Sequence, residues 1–249
     1  MKTETVTLKI KRQNTPSGKP YWETFETPKK PLSNIISCLQ EIQRNPVTAD
    51  GMPVNPVAWD CNCLEEVCGS CTMLINGRVR QACTALLDQL GSTVTLEPLT
   101  KFPVVRDLQV DRSRMFKSLK KVNAWIEIDG SHDIGEGPMM PDNIRAKRYV
   151  LSECMSCGCC LEACPQFTLG NEFLGAATFS QVRLFNMHPT GQAKKEDRLD
   201  ALMGKGGIAD CGNAQVCVEV CPKNIPLTES IADIGRQTSL KLLRDFLSK

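Results

Sequence analysis

Cys154, Cys157, Cys160 and Cys164 are separated by two, two and three residues, and Pro165 follows the last. This C-x2-C-x2-C-x3-C-P run is a ligand spacing for iron–sulfur clusters. Three thiolates, each two residues from the next on a tight loop, can wrap one cube of iron and sulfide. The fourth, three residues further on, turns away from that cube and serves a second cluster. The chemistry on offer is electron transfer.

A second cluster needs further ligands, and residues 211–222 supply them. Cys211, Cys217 and Cys221 take the first, third and fourth places of a matching run that ends in Pro222, while Ala214 holds the second place. With the ligands crossed as in two-cluster bacterial ferredoxins, Cys154, Cys157, Cys160 and Cys221 hold a complete [4Fe–4S] cluster. Cys164, Cys211 and Cys217 then offer three thiolates where four are needed. An alanine methyl cannot bind iron, so the corner facing Ala214 is expected to be empty, giving [3Fe–4S]. Two zinc knuckles are the alternative, since C-x2-C is also zinc spacing. Two matched runs that each end in Cys-Pro favour the clusters.

A third set lies nearer the N-terminus. Cys63, Cys68 and Cys71 form C-x4-C-x2-C, the plant-type [2Fe–2S] spacing, and Cys83 is the natural fourth ligand. Gly69 and Ser70 are small enough to let backbone N–H groups approach the sulfides and stabilise their charge. A structural four-cysteine zinc site is again the alternative. Cys61 competes as a ligand, but the C-x4-C step selects Cys63.

The elements that must position these loops can be read from periodicity. Val6, Leu8 and Ile10 alternate with polar residues as in a half-buried strand, residues 14–18 supply a turn, and residues 21–25 form the returning strand. Leu32, Ile35, Ile36 and Leu39 recur at helical spacing, with Ser33 or Asn34 as cap and an end before Pro46. Residues 73–75 and 78–80 flank Asn76-Gly77, a type I′ hairpin signal, and residues 93–96 close the sheet. This is the order of a small β-grasp domain, expected over residues 1–108. From 109 to 249 the chain is expected to be mainly α-helical around its two cysteine runs, an α+β chain in all. Met115, Phe116, Leu119 and Val122 share a stripe on a helix over 111–124 whose basic residues form a solvated face. Residues 129–141 are Gly- and Pro-rich and read as a connecting loop. Helices are expected over 181–186, 195–203 and 228–247; Ile231, Ile234, Leu242, Leu243 and Phe246 pack the last on the core or a neighbour.

Composition narrows the function. Lys and Arg number 30 against 28 Asp and Glu, which gives no footprint for nucleic acid. The N-terminus lacks the apolar core of a signal peptide, so fourteen cysteines read as metal ligands in a reducing compartment. No apolar run approaches the ~20 residues that cross a bilayer, so the chain is expected to be soluble or peripheral. His132 and His188 sit in no nucleophile or metal motif. Residues 204–209 loosely match a dinucleotide fingerprint but follow a helical pattern where a strand is required. No substrate catalytic site is expected. Of the remaining cysteines, Cys38 belongs to the first helix's apolar stripe, while Cys61 and Cys159 lie beside ligand runs but off the spacing.

One [2Fe–2S] domain followed by a [4Fe–4S]/[3Fe–4S] domain resembles the iron–sulfur subunit of succinate dehydrogenase and fumarate reductase over essentially the whole chain. The resemblance rests on the eleven cysteines named above, and residues 63–69 and 102–108 are similar to the menaquinone-type, Gram-positive branch. It implies an electron path from the FAD of a flavoprotein subunit, through the three clusters, to haem b and quinone in a membrane-anchor cytochrome b. It also implies a peripheral place on the cytoplasmic side of the inner membrane. Ubiquinone-reducing members carry a Trp and a His where this chain has Leu169 and Gly212, so the resemblance favours an anchor that takes electrons through haem.

Overall fold

Alternating burial builds β1, Thr5–Arg12, in which Val6, Leu8 and Ile10 are fully buried. The computed structural model describes residues 4–127 and 138–248; most of the expected 129–141 loop lies outside the described residues. The chain divides into two units. The first is Met1–Arg112 with Cys157–Glu162; the second is Ser113–Ser156 with Ala163–Lys249.

In the first unit β1 pairs antiparallel with β2, Tyr21–Pro28, so that Leu8 faces Phe25. Helix α1, Ile35–Arg44, begins at Asn34, whose side-chain oxygen accepts the Ser37 N–H at 2.9 Å. It buries Ile35, Ile36, Cys38, Leu39 and Ile42 and ends ahead of Pro46. Leu32, assigned to its stripe from spacing, instead precedes the helix at φ 60° and is exposed. Strands β3, Thr72–Ile75, and β4, Arg78–Gln81, form the expected hairpin, with Asn76 and Gly77 both at positive φ (50° and 74°). Strand β5, Thr93–Glu97, runs parallel to β1 and antiparallel to β3, giving the mixed order β2-β1-β5-β3-β4.

A short hairpin of β6, Val104–Arg106, and β7, Gln109–Val110, completes the strands. It is anchored by a buried ion pair: Arg12 Nε donates to Asp107 Oδ1 at 2.8 Å, and both side chains are almost wholly excluded from solvent. Arg12 also reaches Glu23 at 2.6 Å, while Asp107 accepts the N–H groups of Gln13 and Ala58.

The second unit is helical. It contains α2, Ser113–Lys121, and α3, Asp142–Ser152, the latter not expected from sequence. Helix α4, Cys159–Ala163, gives it only its last residue. There follow α5, Ala176–Asn186, α6, Lys195–Met203, α7, Val216–Glu219, and α8, Leu227–Leu247. Helix α8 packs along α5, with α6 and α7 also against it. Buried Arg198 ties the unit together by donating to the carbonyl oxygens of Asn123, Trp125 and Gly191. One expectation needs correction. On α2, Met115 is buried but Phe116 is exposed, because the buried positions 115, 118 and 122 share a face that residue 116 is off. On α8, Ile234 enters the core, whereas Leu242, Leu243 and Phe246 are exposed. No described helix is long and apolar enough to cross a membrane.

Candidate metal centres

The loop from Cys61 to Cys71 is held between α1 and β3, and its backbone is bent by left-handed residues at Leu64, Glu66 and Gly69. Those bends turn N–H groups toward sulfur. Cys63 Sγ accepts the N–H of Glu65, Val67 and Cys68 at 3.2–3.5 Å, and Cys68 Sγ accepts those of Cys63 and Ser70 at 3.5 Å. Oriented backbone donors of this kind make a cradle for negative charge. Burial pushes the Cys68 thiol up, but these N–H groups outweigh it and bring the group down to about 6. Cys71 and Cys83 are buried in the sheet's core. Burial, then a hydrogen bond shared with Cys71, pushes Cys83 up to about 12. A proton held between two buried sulfurs is what a metal ion displaces. The four residues fit a [2Fe–2S] cluster, with preset donors on one side and two core thiols on the other.

Cys157 and Cys160 belong to the first unit and Cys154 and Cys221 to the second. The segment carrying Cys157 and Cys160 is fastened by Glu162. This nearly buried carboxylate accepts the Thr100 N–H at 2.9 Å, the Thr100 hydroxyl at 2.5 Å and the Lys101 N–H at 3.1 Å. Arg112 fastens it again, donating to the carbonyl oxygens of Gly69 at 2.5 Å, Ser70 at 2.7 Å and Cys157 at 3.4 Å. Spacing alone had placed Arg112 on a solvated helix face; a cation immediately ahead of a helix carries no sequence mark of such a contact. Cys159, which spacing left without a role, is buried and donates to Cys157. That hydrogen bond, against burial and with help from Arg112, brings the Cys157 thiol down to about 7. The same bond, with burial, pushes the Cys159 thiol far up.

In the second unit, Cys164, Cys211 and Cys217 line one small cavity, and Ala214 lies in its wall. Gly212 and Gln166 line it too. Asn213 and Gln215, at φ 51° and 62°, bend the backbone on either side of Ala214. Burial, then the neighbouring Cys164 and Cys211, pushes the Cys217 thiol up. Three thiols and one methyl around a shared space fit a cluster with three ligated corners. Among the described residues no three His, Cys, Asp or Glu side chains converge on a single-ion site.

The remaining cysteines and histidines are placed as follows. Cys38 is buried in the core of the first unit. His188 Nδ1 accepts the N–H groups of Thr190 and Gly191, closing the turn after α5, and His132 lies outside the described residues. Cys61 is exposed.

Residues 7–117 match the model of a 2Fe-2S iron-sulfur cluster binding domain and residues 150–225 that of a 4Fe-4S dicluster domain. The chain is 58% identical to the succinate dehydrogenase iron-sulfur subunit of Bacillus subtilis (strain 168), covering 98% of this chain and 96% of that one. It is 32% identical to the fumarate reductase iron-sulfur subunit of Wolinella succinogenes, covering 88% and 90%. Its fold matches a chain of the Mycobacterium smegmatis Sdh1 complex in the apo form, at a TM-score of 0.79 and 23% identity over 96% and 97% of the two chains. The chain belongs to the family of iron–sulfur subunits of succinate dehydrogenase and fumarate reductase.

Proposed function

We propose that this chain carries single electrons between a flavoprotein subunit and a membrane-anchor subunit, in the direction of succinate oxidation. The ligand sets are Cys63, Cys68, Cys71 and Cys83 for [2Fe–2S]; Cys154, Cys157, Cys160 and Cys221 for [4Fe–4S]; and Cys164, Cys211 and Cys217 for [3Fe–4S]. When bound, the clusters supply reversible one-electron storage. The chain's own contribution is to hold deprotonated thiols, exclude water from Cys71, Cys83, Cys160 and Cys217, and aim N–H groups at Cys63 and Cys68. The observation that carries this reading is the cavity where three thiols meet Ala214, since a chain built for two cubanes would present a fourth thiol there. Residues 1–108 would serve the flavoprotein side, with its FAD, and 109–249 the anchor, on the cytoplasmic side of the membrane.

The anchor is proposed to be a haem-bearing cytochrome b working with menaquinone. Leu169 and Gly212 stand where ubiquinone-reducing relatives carry Trp and His. A Cβ built on Gly212 would lie 2.6 Å from Gln166 Nε2, so a histidine could enter only by displacing that amide. The 58% identity to a chain named for succinate dehydrogenase favours succinate oxidation; the 32% relative, named for fumarate reductase, keeps the reverse reaction as the alternative.

The test is EPR with iron analysis on the anaerobically purified complex. About nine irons per chain are expected, with an oxidised-state [3Fe–4S] signal replaced on reduction by [2Fe–2S] and [4Fe–4S] signals. A quinone analogue should leave the [3Fe–4S] signal unchanged. Two [4Fe–4S] signals and no oxidised signal would make the chain an ordinary free-standing ferredoxin, and zinc in place of iron would end the redox reading.

A further inference from the structure

The backbone at Gly212, next to the proposed ligand Cys211, does not require glycine, since its φ is not positive. Space is what excludes a side chain there. A Cβ built on Gly212 would have three atoms of Gln166 as its nearest neighbours: Nε2 at 2.6 Å, Cδ at 3.4 Å and Cγ at 3.5 Å. The Gln166 amide therefore lies against the Gly212 α-carbon, and both residues line the cavity bordered by Cys164, Cys211, Cys217 and Ala214. Gln166 also lines a second cavity, with Glu172, Lys205 and Asp210, so it stands between that space and the thiols. The loop that carries it is pinned. Asn171 Nδ2 donates to the Gln166 carbonyl at 2.5 Å, and Asn171 Oδ1 accepts the N–H groups of Thr168 and Phe173 at 3.3 Å. Arg114 donates to Asn171 Oδ1 and to the Phe173 carbonyl, each at 3.1 Å, and lies 3.9 Å from the centre of the buried Phe167 ring. Among the described residues the Gln166 amide itself has no protein partner.

We propose that the Gln166 amide donates a hydrogen bond to sulfur of the [3Fe–4S] centre and raises its potential. This inference rests on the ligand set Cys164, Cys211 and Cys217 proposed above and goes beyond it, since Gln166 is no ligand. Three arguments support it. A donor at cluster sulfur stabilises the added negative charge of the reduced state, and such bonds, with solvent access, are among the determinants of potential. A loop already fixed by Arg114 and Asn171 presents the amide without the ordering cost that a free loop would bear. Glycine at 212 leaves the amide its room, which accounts for a residue type the backbone does not need. On reduction one electron enters the centre; no bond of the amide forms or breaks, and it keeps both its protons.

Gln166 could instead serve only to fill the space above Gly212, and potentials separate the two roles. Gln166→Leu keeps much of the bulk and removes the donor. Gln166→Glu keeps the shape and puts negative charge in the amide's place. Gly212→Ala retains Gln166 but pushes its amide aside. Each would be prepared in the assembled complex, with iron content and potentiometric EPR of all three clusters. The [3Fe–4S] potential should fall in Gln166→Leu and Gly212→Ala, and further in Gln166→Glu, while the [2Fe–2S] and [4Fe–4S] potentials stay unmoved. Gly212→Ala added to Gln166→Leu should bring no further shift, since the amide it displaces is already gone. A wild-type [3Fe–4S] potential in Gln166→Leu, or additive shifts in the double variant, would overturn the donor and leave the ligand set intact. If Gln166→Leu loses the signal, the potential of Gly212→Ala decides in its place. Absence of the oxidised-state [3Fe–4S] signal from the wild type would overturn the ligand set, and the donor with it.

Discussion

At Ala214 a single methyl is proposed to determine the chemistry of a centre. It occupies the place of a ligand in a run whose other members are all cysteine, and it lines the same cavity as Cys164, Cys211 and Cys217. Ala214→Cys is expected to admit a fourth iron and to lower the potential of that centre, because cluster type is a main determinant of potential. The oxidised-state EPR signal would disappear and iron content would rise by about one per chain. An unchanged [3Fe–4S] spectrum would mean that residue 214 does not face the vacant corner. Ligand residues of this sort are legible in sequence because tight loops impose fixed intervals on them. Gln81, Arg112 and Glu162 are not, since Arg112 reaches Cys157 across 45 positions, Glu162 reaches Thr100 across 62 and Gln81 reaches Cys159 across 78, and no local pattern records such a contact.

At the scale of elements, legibility follows the same division. The hairpin around Asn76-Gly77 and the cap at Asn34 are local, and both were evident from the residues themselves. The β6–β7 hairpin was not, because its strands are too short to alternate and it is held by Asp107, bonded to Arg12 95 positions away. Stretches of α2 were misjudged for another reason: Phe116 fits a helical stripe drawn over 111–124, but the helix that forms presents it to solvent. The Arg12–Asp107 pair has a measurable consequence. Asp107→Ala would leave a buried guanidinium without its principal partner and orphan the N–H groups of Gln13 and Ala58. Breaking one side of a buried pair costs about 3–5 kcal/mol, so thermal unfolding of the first unit should move down by many degrees. Replacing Arg12 and Asp107 together with apolar residues should cost less than Asp107→Ala, since no charge is then stranded. A double variant that is the less stable of the two would show that the pair contributes net stability beyond its own desolvation.

At the scale of the whole molecule, stability is divided between hydrophobic cores and metal. The first unit has a sheet core of Val6, Leu8, Ile10, Phe25, Val94 and Leu96, all fully buried. Its cysteine loop differs. Residues 61–62, 64–65 and 67 are exposed, and Leu64 and Glu66 hold left-handed backbone that side chains disfavour. In the loaded protein the cost of that backbone is offset by N–H groups facing charged sulfur; in the metal-free protein it is not. The second unit depends on metal more evenly, because Cys217 is buried on a four-residue helix and Cys164 and Cys211 flank the same cavity. A ligand that binds only the folded state stabilises it by mass action, and that term vanishes on removal. Chelation of iron under reducing, anaerobic conditions is therefore expected to separate the response of the cysteine-bearing segments from that of the sheet. Amide exchange should rise early over residues 61–69 and across α4 and α7, while β1, β2 and β5 keep their protection. Uniform loss of protection over the sheet and the cysteine loops together would show that the β-sheet core cannot stand without iron, and that the clusters are as necessary to the fold of the first unit as to its electron transfer.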